Sequence, residues 1–417
     1  MPTGSDDPRF EFLKRLAQAL APLGQTSGEL QRQLYACAHG LGMKAEFVVL
    51  PTYLQIYWKA GPEDHTVIIP VRDGAIDLHR LGTLQELAVA VGKGRMTAEQ
   101  GLRRLQELDR RPSRFPFWMS LVAGLLSTFT IAVIIGGGMH EVVAAVPTGL
   151  AVGLFYRLAA GTTRFQGVLE LSAAAFTTAF ALGLGHLLKD FDPTVVVIAA
   201  LVQFLPGLRI TQGVSELTAG DLVAGTARLA GAAVTLLNLG IGVALVWALF
   251  WRLDAVPPAG HAGGSPTWML IVAVAAGAVA YSVTENARPR DVGWVLLGVL
   301  SAVVGSRLGT WALGPTLGVG LASLIVGLLG NAYSRFLHHP KATITVPGLL
   351  ILVPGALGFK GMFSAISSGG GAGGDILLST ITVAAALVVG LSLGETIIRP
   401  RTLPEPVGSN EAVRQAR

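Results

Sequence analysis

Apolar residues recur along this chain in two different patterns, and the change between them falls near Arg114. Before it, the pattern is that of elements with one buried face. Phe12, Leu13, Leu16 and Leu20 stand at helical spacing over residues 10–20, and Ser27 is placed to cap a second helix over residues 28–39. Residues 45–50, 53–59 and 66–71 read as short strands separated by Pro51 and by Gly61-Pro62. Two further helices follow over residues 78–91 and 98–108, the latter with Thr97 as N-cap and Glu99 and Gln100 in its first turn. A small α+β domain over residues 1–112 is expected.

Beyond Arg114 the polar face disappears. Apolar stretches between charged or Pro/Gly-rich breaks give ten expected spans. The first five cover residues 117–137, 141–156, 165–188, 194–210 and 222–251; the second five cover 268–283, 292–306, 309–332, 344–358 and 376–398. The expected fold is a mainly α membrane protein of about ten transmembrane helices. Its two five-helix halves occupy residues 113–252 and 267–398, with a linker at 253–266 and a tail at 399–417.

Composition sharpens this division. Only 14% of the 417 residues are charged, against roughly 25% in ordinary soluble proteins. Of these, 28 lie within residues 1–116 and 23 across residues 117–398, which excludes a wholly soluble enzyme. Asp6, Asp7, Arg9, Glu11, Lys14 and Arg15 leave no apolar segment for a cleaved signal peptide. The net charge of +5 forms no Lys/Arg stripe with interleaved aromatics, so no nucleic-acid partner is expected. It fits loop asymmetry instead. With Arg110, Arg111 and Arg114 cytoplasmic, the inner loops carry Arg157, Arg164, Arg209, Arg288, Arg290, Arg335, Lys341 and Arg399, and the outer loops only Lys189, Arg252, Arg307 and Lys360. Both termini are then expected on the cytoplasmic side of the plasma membrane.

Catalytic chemistry is sparse. The single Cys37 excludes an internal disulfide and a multi-cysteine metal site. No phosphate loop, nucleophile elbow or HExxH occurs, and His39, His65 and His79 read as surface or packing residues. His338-His339-Pro340 lacks the i, i+4 spacing of a helical metal pair. No catalytic residue, metal or cofactor is expected.

The two halves repeat. Leu201 to Leu208 matches Leu349 to Ala356 at an offset of 148, and Gly220-Asp221-Leu222 matches Gly374-Asp375-Ile376 after a Gly-rich insertion. An odd number of spans per half turns the second copy upside down, the inverted-repeat plan of many secondary transporters. In each copy a Pro-Gly interrupts an apolar run: Pro206-Gly207 in the fourth span and Pro354-Gly355 in the ninth, with Pro347-Gly348 as a further break. Proline lacks an N–H and clashes with the carbonyl four residues back, so the carbonyls of Val202 and Leu350 are expected to be freed. Such carbonyls can receive an ammonium group, and helix N-terminal N–H groups a carboxylate.

Polar residues near the breaks complete the candidate set, because an ionised side chain in hydrocarbon is costly unless paired or wet. Gln203, Pro206, Gly207, Thr211, Asn238, Pro354 and Gly355 are candidates for binding substrate. Glu170, Glu216, Asp221, Arg228 and Asp375 are candidates for proton coupling or gating. Simpler roles compete: Arg228 can snorkel to headgroups, Asp221 can cap a helix, and Gln203 and Asn238 can join helices. The 53 glycines supply small-residue surfaces suited to a homo-oligomer.

Leu205-Pro206-Gly207-Leu208, Thr211, Glu216-Leu217, Gly220-Asp221-Leu222-Val223, Gly225 and Ala227-Arg228-Leu229 together resemble a signature stretch of the threonine/serine exporter family. Glu216 stands where that stretch usually has aspartate, and Leu205 where it has valine. Pro51-Thr52 and Ile76 to Leu81 resemble the family's soluble domain, and Leu352-Val353-Pro354-Gly355 the signature of its second membrane half. The resemblance implies a plasma-membrane exporter of threonine, serine or similar small metabolites, coupled to protons. Split relatives are associated with dicarboxylate export, an alternative substrate class. A membrane-embedded enzyme and a gated pore are the rival readings. The first lacks a recognisable reactive group, and the second does not call for inverted repeats.

Overall fold

In the computed structural model the described residues are 7–60, 63–71, 74–110, 114–160, 167–188, 190–256, 264–352, 359 and 373–399. The soluble part comprises α1 (Pro8–Leu20), α2 (Ser27–Gly40), β1 (Ala45–Val49), β2 (Tyr53–Ala60), β3 (Glu63–Pro70), α3 (Leu78–Gly92) and α4 (Ala98–Asp109). The strands form an antiparallel meander, with Phe47 opposite Ile56 and Leu54 opposite Ile69. Strand alternation turns Leu54, Ile56 and Trp58 inward, where they join Phe12, Leu16, Leu34, Leu84 and Leu105 in one core. Thr97 and Gln100 close a capping box at α4. Two expectations shift. Thr26, not Ser27, caps α2 by accepting the Glu29 N–H at 3.3 Å, since the helix begins one residue earlier. The third strand starts at Glu63 because the β2–β3 pairing continues to Ala60 opposite Glu63.

The apolar part contains α5 (Phe117–Ile134), α6 (Met139–Ala160), α7 (Leu169–Leu184), α8 (Pro193–Ala200), α9 (Gly207–Thr218), α10 (Leu222–Arg252), α11 (Thr267–Thr284), α12 (Val292–Leu337), α13 (Ala342–Leu352) and α14 (Gly373–Ile397). Among the described residues six helices are long and apolar enough to cross a membrane, and a bent pair, α8 with α9, makes a seventh. Helices α7 and α13 are apolar but shorter, at 16 and 11 residues.

Helix α12 departs most from the expected spans. The break expected between 306 and 309 lies at Gly314, whose φ of 83° no residue with a Cβ adopts readily, and Pro315 restarts the helix. Its two arms fold back on each other. Gly309 faces Gly318, Gly305 faces Ala322, and the Trp294 and Tyr333 rings stand 4.7 Å apart. The further break expected at Pro347 is absent, because α13 runs through it from Ala342 to Leu352. There the proline costs one N–H inside a packed helix, which neighbours can absorb.

Candidate functional site

The expected interruption near Pro206 is present, and it is wider than a kink. Asp192 caps α8 through the Thr194 N–H at 2.8 Å, and the helix ends at Ala200. A 3-10 turn over Val202–Phe204 follows, Leu205 is extended as a residue before proline must be, and α9 leaves at 49° to α8. The Val202 carbonyl expected to be free is not, since the turn tightens and the Leu205 N–H donates to it at 3.2 Å. No side chain caps α9, so its first-turn N–H groups lack acceptors within the helix. Arg209, expected in a loop, lies instead in that first turn, because α9 extends to Thr218.

The candidate residues divide around this break. Pro206 and Gly207 are buried, Gln203 is exposed, and the Thr211 hydroxyl turns back to donate to the Gly207 carbonyl at 3.1 Å. Asn238 lies half-buried along α10, and Glu170 half-buried in the first turn of α7. Pro354 and Gly355 lie outside the described residues. Asp375 belongs to the first turns of α14, and its side chain is outside the description.

Glu216 and Arg228 come together. After α9 the chain turns through Gly220 at φ 89°, and Asp221 donates its N–H to the Glu216 carbonyl at 2.8 Å. Helix α10 then runs back against α9 so closely that a Cβ on Gly225 would sit 2.7 Å from the Gly213 carbonyl oxygen. That approach sets Arg228 Nε at 3.1 and 2.9 Å from the two Glu216 carboxylate oxygens, with Glu216 only 1% exposed. The pair does not snorkel or face lipid. It holds the soluble domain. The Ser27 N–H donates to Glu216 Oε1 at 2.8 Å, Arg228 Nη2 donates to the Gln25 carbonyl at 3.0 Å, and Gln212 donates to the Gly24 carbonyl. Gly24 presents these groups by adopting φ 71°. Asp221 makes no side-chain cap; its carboxylate lies over Gly28, 3.5 Å from where a Cβ would be.

Two more tethers dock the same domain. The Leu78 N–H donates to the Glu285 carbonyl at 2.8 Å, and the Asn286 side chain donates to Asp77. Burial, with Asp77 adding to it, pushes the Glu285 carboxyl up to about 8. Lys341, between α12 and α13, pairs with Glu29 of α2 at 2.6 Å and with Glu395 of α14 at 2.5 Å. Burial opposes ionisation of Glu29, but the Lys341 ammonium outweighs it and holds that carboxyl below the usual range. Sequence reading missed Gln212, Lys341 and Asn286 as contacts. Gln212 and Glu216, i and i+4 on an apolar helix, were the available signal.

A profile of the family described as "Putative threonine/serine exporter" matches residues 11–250, more than half of the chain. The chain belongs to the threonine/serine exporter family. A second profile, described as "Threonine/Serine exporter, ThrE", matches residues 270–397, so the two meet across the α10–α11 connection of this exporter-family chain. The threonine/serine exporter of Corynebacterium glutamicum is 25% identical over 334 residues, 77% of this chain and 67% of that protein. Pheromone-regulated membrane protein 10 of Pichia sorbitophila is 24% identical over 366 residues, 84% of this chain and 36% of that one. An uncharacterized Schizosaccharomyces pombe protein is 25% identical over 387 residues, 87% of this chain and 45% of that one. The chain spans less than half the length of these fungal relatives. No solved structure matches it.

Proposed function

We propose that this chain exports threonine, serine or similarly small hydrophilic amino acids across the plasma membrane by alternating access, driven by the proton motive force. The observation that carries the reading is the break between Ala200 and Gly207 inside an otherwise apolar span. The positive end of α9, with Arg209 in its first turn, suits a carboxylate, and the carbonyl end of α8 suits an ammonium group. Gln203, Pro206, Gly207, Thr211 and Asn238 would shape this half of the site, and Pro354 and Gly355 its counterpart.

The proposed plan is ten spans in two inverted repeats, with each arm of α12 taken as one span and α8 with α9 as one; the second half of the ninth span lies outside the described residues. Gly242 of α10 packs on the Leu171 carbonyl of α7, and Gly390 of α14, 148 residues later, packs on the Gly320 carbonyl of α12. Helix α5 leads away from the soluble domain whereas α11 returns to it at Glu285. Arg114, Arg157, Arg288, Arg290, Arg335 and Lys341 gather at the domain-facing end against Arg252 and Arg307 at the other. That bias supports a cytoplasmic soluble domain. The Glu216–Arg228 pair then gates the cytoplasmic end, and Asp221 or Glu170 carries the proton.

Proteoliposomes loaded with labelled threonine or serine test this. An imposed pH gradient should accelerate efflux, and Pro206→Ala and Asp221→Asn should each slow it by about tenfold or more, equivalent to about 1.4 kcal/mol or more in the rate-limiting barrier. Efflux indifferent to the gradient, with both variants equal to wild type, would remove the mechanism. Gradient-driven efflux of a loaded dicarboxylate in place of the amino acids would move the substrate class.

A further inference from the structure

A cleft of 570 Å³ opens where the soluble domain meets the starts of α5 and α12, and Arg104, Arg114, Arg288 and Arg290 all line it beside His79 and Glu86. Arg288 is committed to the soluble domain. Its Nε donates to His79 Nδ1 at 3.0 Å, and its Nη1 pairs with Glu86 at 3.1 Å. The other three guanidinium groups are weakly balanced. Arg104 pairs with Glu107 one turn along in an exposed contact, and Arg290 stands 3.8 Å from Asp291. Arg114 has no carboxylate partner among the described residues. Four guanidinium groups therefore face three carboxylates, Glu86, Glu107 and Asp291, two of them in exposed or long contacts, and the positive charge left over favours an anion that joins the cleft. Guanidinium forks match phosphate oxygens in pairs. The depth is also telling. Arg114 precedes α5 by three residues and Arg290 precedes α12 by two, so the cleft lies at the level where spans enter the bilayer and phosphate headgroups reside.

We propose that this cleft binds a phosphate group, with Arg104, Arg114 and Arg290 as its ligands and Arg288 as the positioning residue that holds the soluble-domain wall. The site does not depend on what the protein transports. Two sources share the chemistry, an anionic phospholipid and a soluble phosphate compound. The full chain in nanodiscs of phosphatidylcholine, with and without phosphatidylglycerol, separates them by thermal unfolding and by native mass spectrometry of retained lipid. Phosphatidylglycerol should be retained preferentially and should raise the unfolding temperature. Arg114→Gln/Arg290→Gln should lose about tenfold or more of that retention, as expected for lost charge-assisted hydrogen bonds. Arg252→Gln/Arg307→Gln, at the opposite end, should not. Stabilisation by ATP or inorganic phosphate in pure phosphatidylcholine, abolished by the same double variant, would support the site with a soluble ligand. Equal retention in wild type and double variant, with no effect of ATP or phosphate, would overturn it.

Discussion

Replacing Glu216 by Gln removes one charge from the latch while keeping an acceptor for the Ser27 N–H. Arg228, 12% exposed, is left with the Gln212 side chain at 3.2 Å and the Gln25 carbonyl as its partners. Breaking a buried pair by removing one member costs ~3–5 kcal/mol, because the surviving charge stays buried. Partial exposure of Arg228 favours the lower end, so about 3 kcal/mol, or on the order of 100-fold in the ratio of docked to undocked soluble domain, is expected. Arg228→Met should cost more, since Glu216 is the more buried partner. Ser27→Cys provides the reporter. Its hydroxyl is buried and has no hydrogen-bond partner among the described residues, so sulfur can replace oxygen while the backbone N–H still reaches Glu216. The rate at which a polar maleimide labels the thiol introduced there measures the open fraction. Both single variants should label far faster than the Ser27→Cys parent, and the double variant should cost less than the two singles summed. Labelling within twofold of the parent in both singles would refute the claim that this pair holds the domain.

Four further outcomes rest on local geometry. Burial pushes the native Cys37 thiol up to about 12, so it should resist maleimide in the folded protein and react only on denaturation, read by mass spectrometry. Thr97→Ala should cost about 1 kcal/mol by loss of the capping box, measured as a lowered unfolding temperature. Gly225→Ala would drive a methyl into the Gly213 carbonyl and Leu217, so α10 must shift at a cost of about 1–3 kcal/mol, and Ser27→Cys labelling should rise with it. Glu285 is favoured in its neutral form at the interface, so its contribution is full below the ordinary glutamate range and lost as pH rises through about 8. Glu29 acts oppositely and loses its contribution only in acid. Once corrected for thiolate ionisation with an exposed control thiol, labelling in the Ser27→Cys parent should therefore climb through about pH 8 and stay flat when Glu285→Gln is added; a falling profile would contradict the assignment.

Features of this chain differ in the range over which they are determined, and that range decides which of them a sequence displays. The soluble helices, the meander and the interruption at Pro206 are local. Spacing, turn residues and the missing proline N–H are sufficient to place them, to within a few residues at the ends of α2 and β3. The turn of α12 at Gly314 escaped because Arg307 drew attention as a loop residue, while the backbone requirement lay seven positions further on. The latch was hidden for a different reason. Glu216 and Arg228 were each visible as costly residues in an apolar setting, but their pairing depends on the contact of Gly213 with Gly225 and on a loop near residue 25. Neither is encoded by periodicity. A charged residue in an apolar helix states only that a partner must exist; small residues three positions away, as Gly213 is to Glu216 and Gly225 to Arg228, indicate which neighbouring helix comes close enough to supply it. Asp221, four positions before Gly225, sits on that same approach and faces Gly28, so a proton taken up there would be felt first at the docking surface of α2. Proton coupling through Asp221 would thus act on the soluble domain before it acts on the broken span.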